Sequence, residues 1–249
     1  MIRVRVDDQN RLLRVTLAES RACRLDSSTL LALAGLLGEG VDQDVRAVIL
    51  DHDGPDLEVG TSVDEFLGDA PEMVLQAFGQ ALRAVVHCPV PLLAAVRGRC
   101  LGRGAALAVG AQFLFAQEDA LLGFHETAVG LIAPGASALL PWRPALLRRM
   151  VLTGEIFDVH QLELAGLVTA ATQHDPAAAA LQFYLEHLAP RSPHALRHAV
   201  AAADPGPEFD RRLADGLARV ERMLEESPDP VEGVSAFLEA RAPRWAERR

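Results

Sequence analysis

His125 and Glu126 are the acid–base residues of the segment LLGFHETAVGLIAPG, residues 121–135. They follow a short apolar run that is typical of a strand, and they precede a loop rich in glycine and proline. A carboxylate or an imidazole at such a place can give or take a proton during a reaction. Considered alone, a solvated or ion-paired loop glutamate is the more common case, because most glutamates lie on protein surfaces.

A second segment, GRCLGRGAALA at residues 98–108, could supply chemistry through its backbone. It follows the apolar run PLLAAV and leads into an alanine-rich stretch, which predicts a strand, a glycine-rich turn and a helix. Glycine lets other groups approach the main chain closely, and the first turn of a helix presents unpaired N–H groups. Two such groups aimed at one oxygen would stabilise a developing negative charge. An ordinary tight turn would explain the same glycines.

The segment DLEVGTSVDEF, residues 56–66, is the candidate for a second N–H donor. Its Gly60 follows an extended stretch, and Thr61 leads into a helix start. Here too an ordinary turn is the alternative, since glycine is a common turn residue.

Other catalytic and binding motifs are weak or missing. Leu107 occupies the place of the third glycine of a dinucleotide-binding turn, and neither GxxxxGK[ST] nor GxSxG occurs in the chain. His194 and His198 have the spacing of one helix face but no obvious third ligand. No metal site is therefore predicted.

Composition and charge exclude several classes of protein. The chain has 249 residues, of which half are hydrophobic, and a formal net charge of −10. This is enough apolar material for a core, whereas the negative charge argues against binding nucleic acid. The three cysteines match neither a zinc site nor a CxxC redox pair. With no signal-peptide core and no apolar run of 18 residues, we expect a cytoplasmic protein without a membrane segment.

Strand and helix patterns alternate in the first half of the chain. We predict a hairpin over residues 1–17, a helix capped at Asp26 and running to about residue 37, a strand over 45–51, a helix over 71–88, strands at 92–96, 113–116 and 120–124, and helices alone from 134 onward. In the helix over 71–88, one face would carry Met73, Leu75, Phe78, Leu82 and Val85. This order indicates an α/β core with a helical C-terminal region.

Together these segments resemble the crotonase superfamily, also called the enoyl-CoA hydratase/isomerase family. DLEVGTSVDEF and GRCLGRGAALA resemble its two oxyanion loops, and LLGFHETAVGLIAPGAS resembles its segment FGQPE…LG…PG. VLTGEIFDVHQLELAGLVTA, RSPHALRHA and DPVEGVSAFLEARAPRW resemble its later helices, so the matches follow the family's order over nearly the whole chain. GTSVDEF and APGASALLP look most like the cyclohexa-1,5-diene-1-carbonyl-CoA hydratase subgroup.

The resemblance implies an α/β, crotonase (ClpP/crotonase-like) fold of stacked ββα turns. It implies a core over residues 1–190 and a C-terminal helical region over residues 191–249 that covers the active site and drives assembly into a homotrimer or homohexamer. It also implies an acyl-CoA thioester as substrate and no separate cofactor, because coenzyme A is part of the substrate.

The same resemblance implies roles for individual residues. The backbone N–H groups of Thr61 and Arg103 match the family's oxyanion donors, and Glu126 matches an acid–base glutamate. The implied substrate-binding positions are Cys23, Arg24, Asp26, Gly60, Gly102, Gly104, Ala106, Pro134 and Gly135.

Two positions depart from the family's pattern. Ala106 stands where two-carboxylate hydratases carry another glutamate, and Arg103 stands where the loop has its middle glycine. Arg103 can still donate its N–H if its φ is negative. His125 could replace the missing acid, although strand alternation places it on the face opposite Glu126 at least as readily.

Three functions are compatible with these residues. The first is an enoyl-CoA hydratase-like enzyme acting on an unsaturated acyl-CoA, cyclic dienoyl-CoA included, through an enolate held by the oxyanion donors. The second is a double-bond isomerase, because a single glutamate can move a proton between two carbons of one enolate. The third is a catalytically silent acyl-CoA-binding homologue, which Ala106 and Arg103 together suggest.

Overall fold

The computed structural model describes residues 1–17, 25–42, 44–57, 71–143 and 145–245, and two β-sheets organise this part of the chain. The larger sheet has the strand order β1-β2-β3-β4-β6-β9, formed by β1 (Ile2–Asp7), β2 (Leu12–Leu17), β3 (Ala47–His52), β4 (Leu92–Val96), β6 (Phe113–Gln117) and β9 (Ala170–Thr172). The smaller sheet has the order β5-β7-β8, formed by β5 (Arg99–Leu101), β7 (Leu121–Gly123) and β8 (Ile156–Asp158). Apart from the antiparallel pair β1–β2, the neighbours in the larger sheet are parallel, so they need crossover connections.

Helices supply these connections and build the C-terminal region. They are α1 (Ser27–Gly38), α2 (Pro71–Val86), α3 (Gly102–Gly110), α4 (Pro134–Leu139), α5 (Ala145–Thr153), α6 (Val159–Leu164), α7 (Pro176–Phe183), α8 (Pro193–Ala203), α9 (Pro207–Glu226) and α10 (Asp229–Leu238). Two 3₁₀ turns lie at His125–Val129 and Leu140–Trp142, and a π-helical turn at Tyr184–Leu188 extends α7. Within the described ranges, no helix has the length and apolar character needed to cross a membrane.

The central strands are buried on both faces. In β4, Leu92, Ala94 and Val96 belong to one hydrophobic cluster, whereas Leu93 and Ala95 belong to a second one. A strand backbone imposes this period of two, and a parallel sheet covered by helices on both sides needs apolar residues on both faces. The first cluster packs under α1, α2 and α3, and the second is closed by α7.

Local sequence signals correctly predicted the N-terminal elements. β1 pairs with β2 as a hairpin, with Ile2 opposite Leu17 and Asp7 opposite Leu12. Asp26 caps α1, because its carboxylate accepts a hydrogen bond from the N–H of Thr29 at 2.7 Å. Such a cap satisfies one of the N–H groups that a helix start leaves unpaired.

The face predicted for α2 is confirmed except at its first residue. Leu75, Phe78, Leu82 and Val85 are buried, but the Met73 side chain is 62% exposed. The prediction for Met73 was wrong because the buried stripe of α2 begins only at Val74.

The expectation of helices alone after residue 134 was also wrong. β8 pairs with β7, and β9 pairs with β6. Each of the two later strands has three residues, too few for an alternating pattern to be visible in the sequence.

The C-terminal helices pack on the same core as the larger sheet. Phe209, Leu213 and Val220 of α9 belong to the first hydrophobic cluster. α10 lies so close to the 3₁₀ turn at His125–Val129 that a Cβ on Gly233 would come within 2.4 Å of the Val129 carbonyl group. The α/β core and the helical C-terminal region are as expected, and the boundary at residue 190 stays a prediction.

Candidate active site

The glycine-rich turn joins β5 directly to α3. Gly102 is the first residue of α3 and has φ +55°, a conformation that glycine adopts at little cost. The N-cap residue, Leu101, provides no side-chain hydrogen bond to the N–H groups that a helix start presents. Arg103 lies in this turn with a negative φ. The backbone condition for its N–H to serve as a donor is therefore met.

Glu126 approaches the start of α3 from another segment. It lies in the 3₁₀ turn that follows β7, and the N–H of Leu131 donates to its carbonyl oxygen at 2.8 Å. A Cβ placed on Gly102 would be 3.3 Å from Oε1 of Glu126, so the carboxylate packs against this glycine. The fold thus brings a carboxylate next to the helix start that presents N–H groups.

His125 lies beside Glu126 and on the same side. Its Cε1 atom would be 3.8 Å from the same Cβ on Gly102. Strand alternation, which allowed the opposite face for His125 at least as readily, does not apply here, because β7 ends at Gly123 and both residues belong to the 3₁₀ turn.

His125 and Glu126 line a cavity of about 50 Å³. Most of the remaining wall is apolar and comes from distant segments, namely Leu75 and Phe78 of α2, Ile132, Val220 of α9 and Val234 of α10. Sequence reasoning did not predict these wall residues. Their apolar character indicated burial, but only the fold shows which cavity they line.

The Arg103 side chain lines the same cavity and is only 8% exposed. A guanidinium group carries hydrogen-bond donors and no acceptor. Arg103 therefore adds a buried cation to a wall that also holds a carboxylate and an imidazole.

The His125 residue is half-buried, and its ring is partly withdrawn from solvent. Burial lowers its pKa below the ordinary value of 6.5, because desolvation disfavours the charged form. Its Nδ1 atom is buried and has no hydrogen-bond partner in the part of the chain that the structure describes. The Phe237 ring of α10 lies 6.3 Å from the imidazole, measured between ring centroids.

The other predicted site residues fall into three groups. Ala106 and Pro134 lie near the cavity: Pro134 lines it, and a Cβ on Gly135 would be 3.0 Å from the Cβ of Ala106. Gly104 is buried inside α3, and the Asp26 carboxylate is engaged as the cap of α1. Four predictions lie outside the described residues, at Cys23, Arg24, Gly60 and Thr61.

A larger cavity of about 370 Å³ lies elsewhere, along α8 and the 3₁₀ turn at Leu140–Trp142. Its charged residues are engaged in structural contacts: Arg143 donates to the carbonyl groups of Val109 and Ala111, and Asp204 pairs with His87. The rest of the described wall is largely apolar, so no acid–base pair among its described residues is left outside these structural contacts. We therefore assign the chemistry to the smaller cavity.

Comparison with known proteins gives the family. The sequence profile of the family described as Enoyl-CoA hydratase/isomerase matches residues 28–248. The chain belongs to the enoyl-CoA hydratase/isomerase family. This confirms the resemblance inferred from the ordered segments.

Members of the family with similar sequences and structures support the finer expectations. Cyclohexa-1,5-dienecarbonyl-CoA hydratase of Thauera aromatica is 37% identical over 252 residues, covering 99% of this chain and 97% of the relative. Carnitinyl-CoA dehydratase of Salmonella typhi is 27% identical and covers 95% of both chains. An enoyl-CoA hydratase/isomerase structure from Pseudoalteromonas atlantica T6c has a TM-score of 0.85 and 26% identity, covering 98% of this chain and 99% of the other. The crotonase fold and the expected subgroup are thereby confirmed.

Proposed function

We propose that this protein hydrates an unsaturated acyl-CoA thioester, with Glu126 as its acid–base group. One observation carries the proposal: the Glu126 carboxylate packs against Gly102, the first residue of α3. A thioester carbonyl oxygen in front of α3 would accept a hydrogen bond from the Arg103 N–H, and its acyl carbons would then lie beside the carboxylate. Thr61 is the proposed second donor.

The reaction can be written with one carboxylate. Glu126 takes a proton from water while the water oxygen bonds to the β-carbon of the double bond. The π electrons move toward the thioester, and the N–H donors stabilise the resulting enolate oxygen. The enolate re-forms the carbonyl as the α-carbon takes the proton back from Glu126, so one water is added and the carboxylate is restored.

The acyl group is proposed to be an apolar ring or short chain. The cavity wall beside Glu126 is built largely from apolar side chains of α2, α9 and α10. The relative from Thauera aromatica is named for a cyclic dienecarbonyl-CoA. A cyclic dienoyl-CoA is therefore our first choice of substrate, and a short linear enoyl-CoA is the second.

Ala106 favours a second candidate function, a double-bond isomerase on an enoyl-CoA. Ala106 is buried in α3, where a carboxylate would supply a second acid–base group. An isomerase needs only one base, which removes a proton from one carbon and returns it to another carbon of the same enolate. The negative φ of Arg103 and the family membership both favour an active enzyme over a silent homologue.

Product analysis in H₂¹⁸O separates these functions. We expect the protein to consume crotonyl-CoA or a cyclic dienoyl-CoA with loss of the conjugated absorbance, and the product to gain the mass of one ¹⁸O water. Conversion of a β,γ-enoyl-CoA to its conjugated isomer without label would instead support the isomerase. Turnover no faster than that of the Glu126→Gln variant on all of these substrates would contradict both functions.

Gly102→Ala tests the position of the carboxylate. The new methyl group would lie 3.3 Å from Oε1 of Glu126, and the residue would keep a positive φ that L side chains rarely adopt. We expect kcat to fall by about 10²-fold, because small displacements of reacting groups have such effects. The free energy of unfolding should fall by only about 1–2 kcal/mol. Equal kcat values for the variant and the wild type would contradict the proposed geometry.

The assembly and location of the protein are further parts of the proposal. We expect a homotrimer or homohexamer in the cytoplasm, as the C-terminal helices of the family suggest. Light scattering of the purified protein measures the mass, and a monomeric mass would contradict this part.

A further inference from the structure

We propose that His125 holds the attacking water in the place of the carboxylate that is absent at position 106. This inference rests on the proposed hydratase function and assigns its second polar group. A water that gives one proton to Glu126 still has a second O–H group, which needs a hydrogen-bond acceptor. The position of that acceptor fixes the direction in which the oxygen lone pair attacks.

The geometry brings His125 and Glu126 to one point. Both side chains leave the same 3₁₀ turn and pack over Gly102, with Oε1 and Cε1 within 3.3 and 3.8 Å of the same Cβ position. Both also line the cavity of about 50 Å³, and a cavity of this size can hold a water molecule. A single water there can reach the two groups together.

Few side chains of this wall can accept a hydrogen bond from water. Arg103 has only donors, and the remaining described wall residues are apolar. Glu126 and His125 are thus the side-chain acceptors that this part of the structure offers. Since the Ala106 side chain has no polar atom, the imidazole is the side chain available to accept a hydrogen bond from the second O–H group of the water.

The surroundings keep the imidazole in the state that can accept. Burial lowers its pKa, so at neutral pH one ring nitrogen carries a lone pair. The charged groups that share its cavity are Glu126 on its own turn and Arg103 on α3, while α2, α9 and α10 present apolar side chains. In the proposed step the imidazole gains and loses no proton. The imidazole accepts a hydrogen bond from one O–H group of the water. The proton of the other O–H group moves to Glu126 and then to the α-carbon.

Three variants test this role. His125→Leu removes the acceptor, His125→Gln keeps a neutral polar group of similar reach, and His160→Gln changes an exposed histidine of α6 as the matched control. We expect kcat/KM for hydration to fall by about 10²-fold in the leucine variant, since water would lose its orientation. The fall in kcat/KM should be clearly smaller in the glutamine variant, and the kcat/KM of His160→Gln should equal that of the wild type. The Kd for the saturated analogue butyryl-CoA should be equal in all four proteins, because His125 is proposed to orient the water and not to bind the thioester.

The pH profile of kcat/KM gives a readout that a structural role would not change. As the pH falls through the pKa of His125, the imidazole takes a proton and loses its acceptor, so the wild-type rate should fall at a pH below 6.5. This ionisation should be missing from the acid limb of His125→Gln.

The outcomes of these experiments distinguish the role of His125 from the hydratase function. If the wild type hydrates the substrate and Glu126→Gln does not, but His125→Leu keeps the wild-type rate and acid limb, the role of His125 is refuted and the hydratase stands. If the wild type itself adds no water to any of the substrates, both proposals fail together. If butyryl-CoA binding falls as much as kcat/KM in His125→Leu, the residue shapes the thioester site and does not hold water.

Discussion

Replacing Glu126 by glutamine should lower kcat for hydration by about 10²–10⁴-fold, the usual contribution of a general acid–base group. Glutamine has nearly the same shape, so it can pack against Gly102 as the carboxylate does, but it cannot take a proton from water. The effect should appear in kcat and kcat/KM alike, because the lost interaction belongs to the transition state. The Kd for butyryl-CoA and the thermal midpoint should stay near their wild-type values.

The matched control is Glu225→Gln, which makes the same chemical change at an exposed position of α9. Its rate should equal that of the wild type. A Glu126→Gln protein that hydrates the substrate within a fewfold of the wild-type rate would show that another group transfers the proton. The proposed mechanism would then have to be abandoned.

Replacing Gly98 by alanine should give the largest loss of stability among the glycine variants considered, about 2–5 kcal/mol. Gly98 has φ +58°, and a Cβ there would lie 1.8 Å from the carbonyl oxygen of Pro55. A backbone atom cannot yield as a flexible side chain does. The left-handed conformation adds about 1–2 kcal/mol of strain for a residue that carries a Cβ.

The segment around Pro55 is held in place by β5. Leu57 donates to the Arg99 carbonyl at 2.8 Å and accepts from the Leu101 N–H at 3.1 Å, and Asp56 forms an ion pair with Arg99 at 2.8 Å. A methyl group on Gly98 must break or shift these contacts. Because α3 follows β5 directly, the shift would also displace the start of α3, and activity should fall together with stability.

Thermal or chemical unfolding measures this prediction. For a chain of this size, the expected loss corresponds to a fall in Tm of the order of 10 °C. Gly35→Ala in α1 is the control, since no atom of the described residues lies within 4 Å of the new methyl group. It should be neutral or slightly stabilising, by about 0.4–1 kcal/mol. Equal midpoints for Gly98→Ala and the wild type would contradict the close contact with Pro55.

Much of the fold follows from short-range signals. The Asp26 cap, the hairpin pattern and the apolar run of β4 are properties of neighbouring residues, and local sequence is enough to predict these elements. The three-residue strands β8 and β9 have no such signal. They form because β8 can pair with the edge of β7 and β9 with the edge of β6, and these edges exist only in the assembled sheets.

The candidate site divides in the same way. The sequence pointed to Glu126 and to the backbone at Arg103 through residue type and through the ordered family segments. Strand alternation was the wrong guide to the orientation of the His125 side chain, because His125 lies in a 3₁₀ turn and not in a strand. The wall residues Val220 and Val234 lie far along the chain from Glu126, so no local pattern could assign them to its cavity.

By itself, the sequence of this protein determined the α/β class, the family and the chemical groups of the site: Glu126, His125 and the backbone N–H groups of a helix start. Only the tertiary structure decided that the glutamate and the histidine share one small cavity over Gly102, with an arginine and apolar helices around them. The reason is physical. Secondary structure depends on contacts between near neighbours, whereas a reactive site depends on the distances between segments that only the packed core brings together.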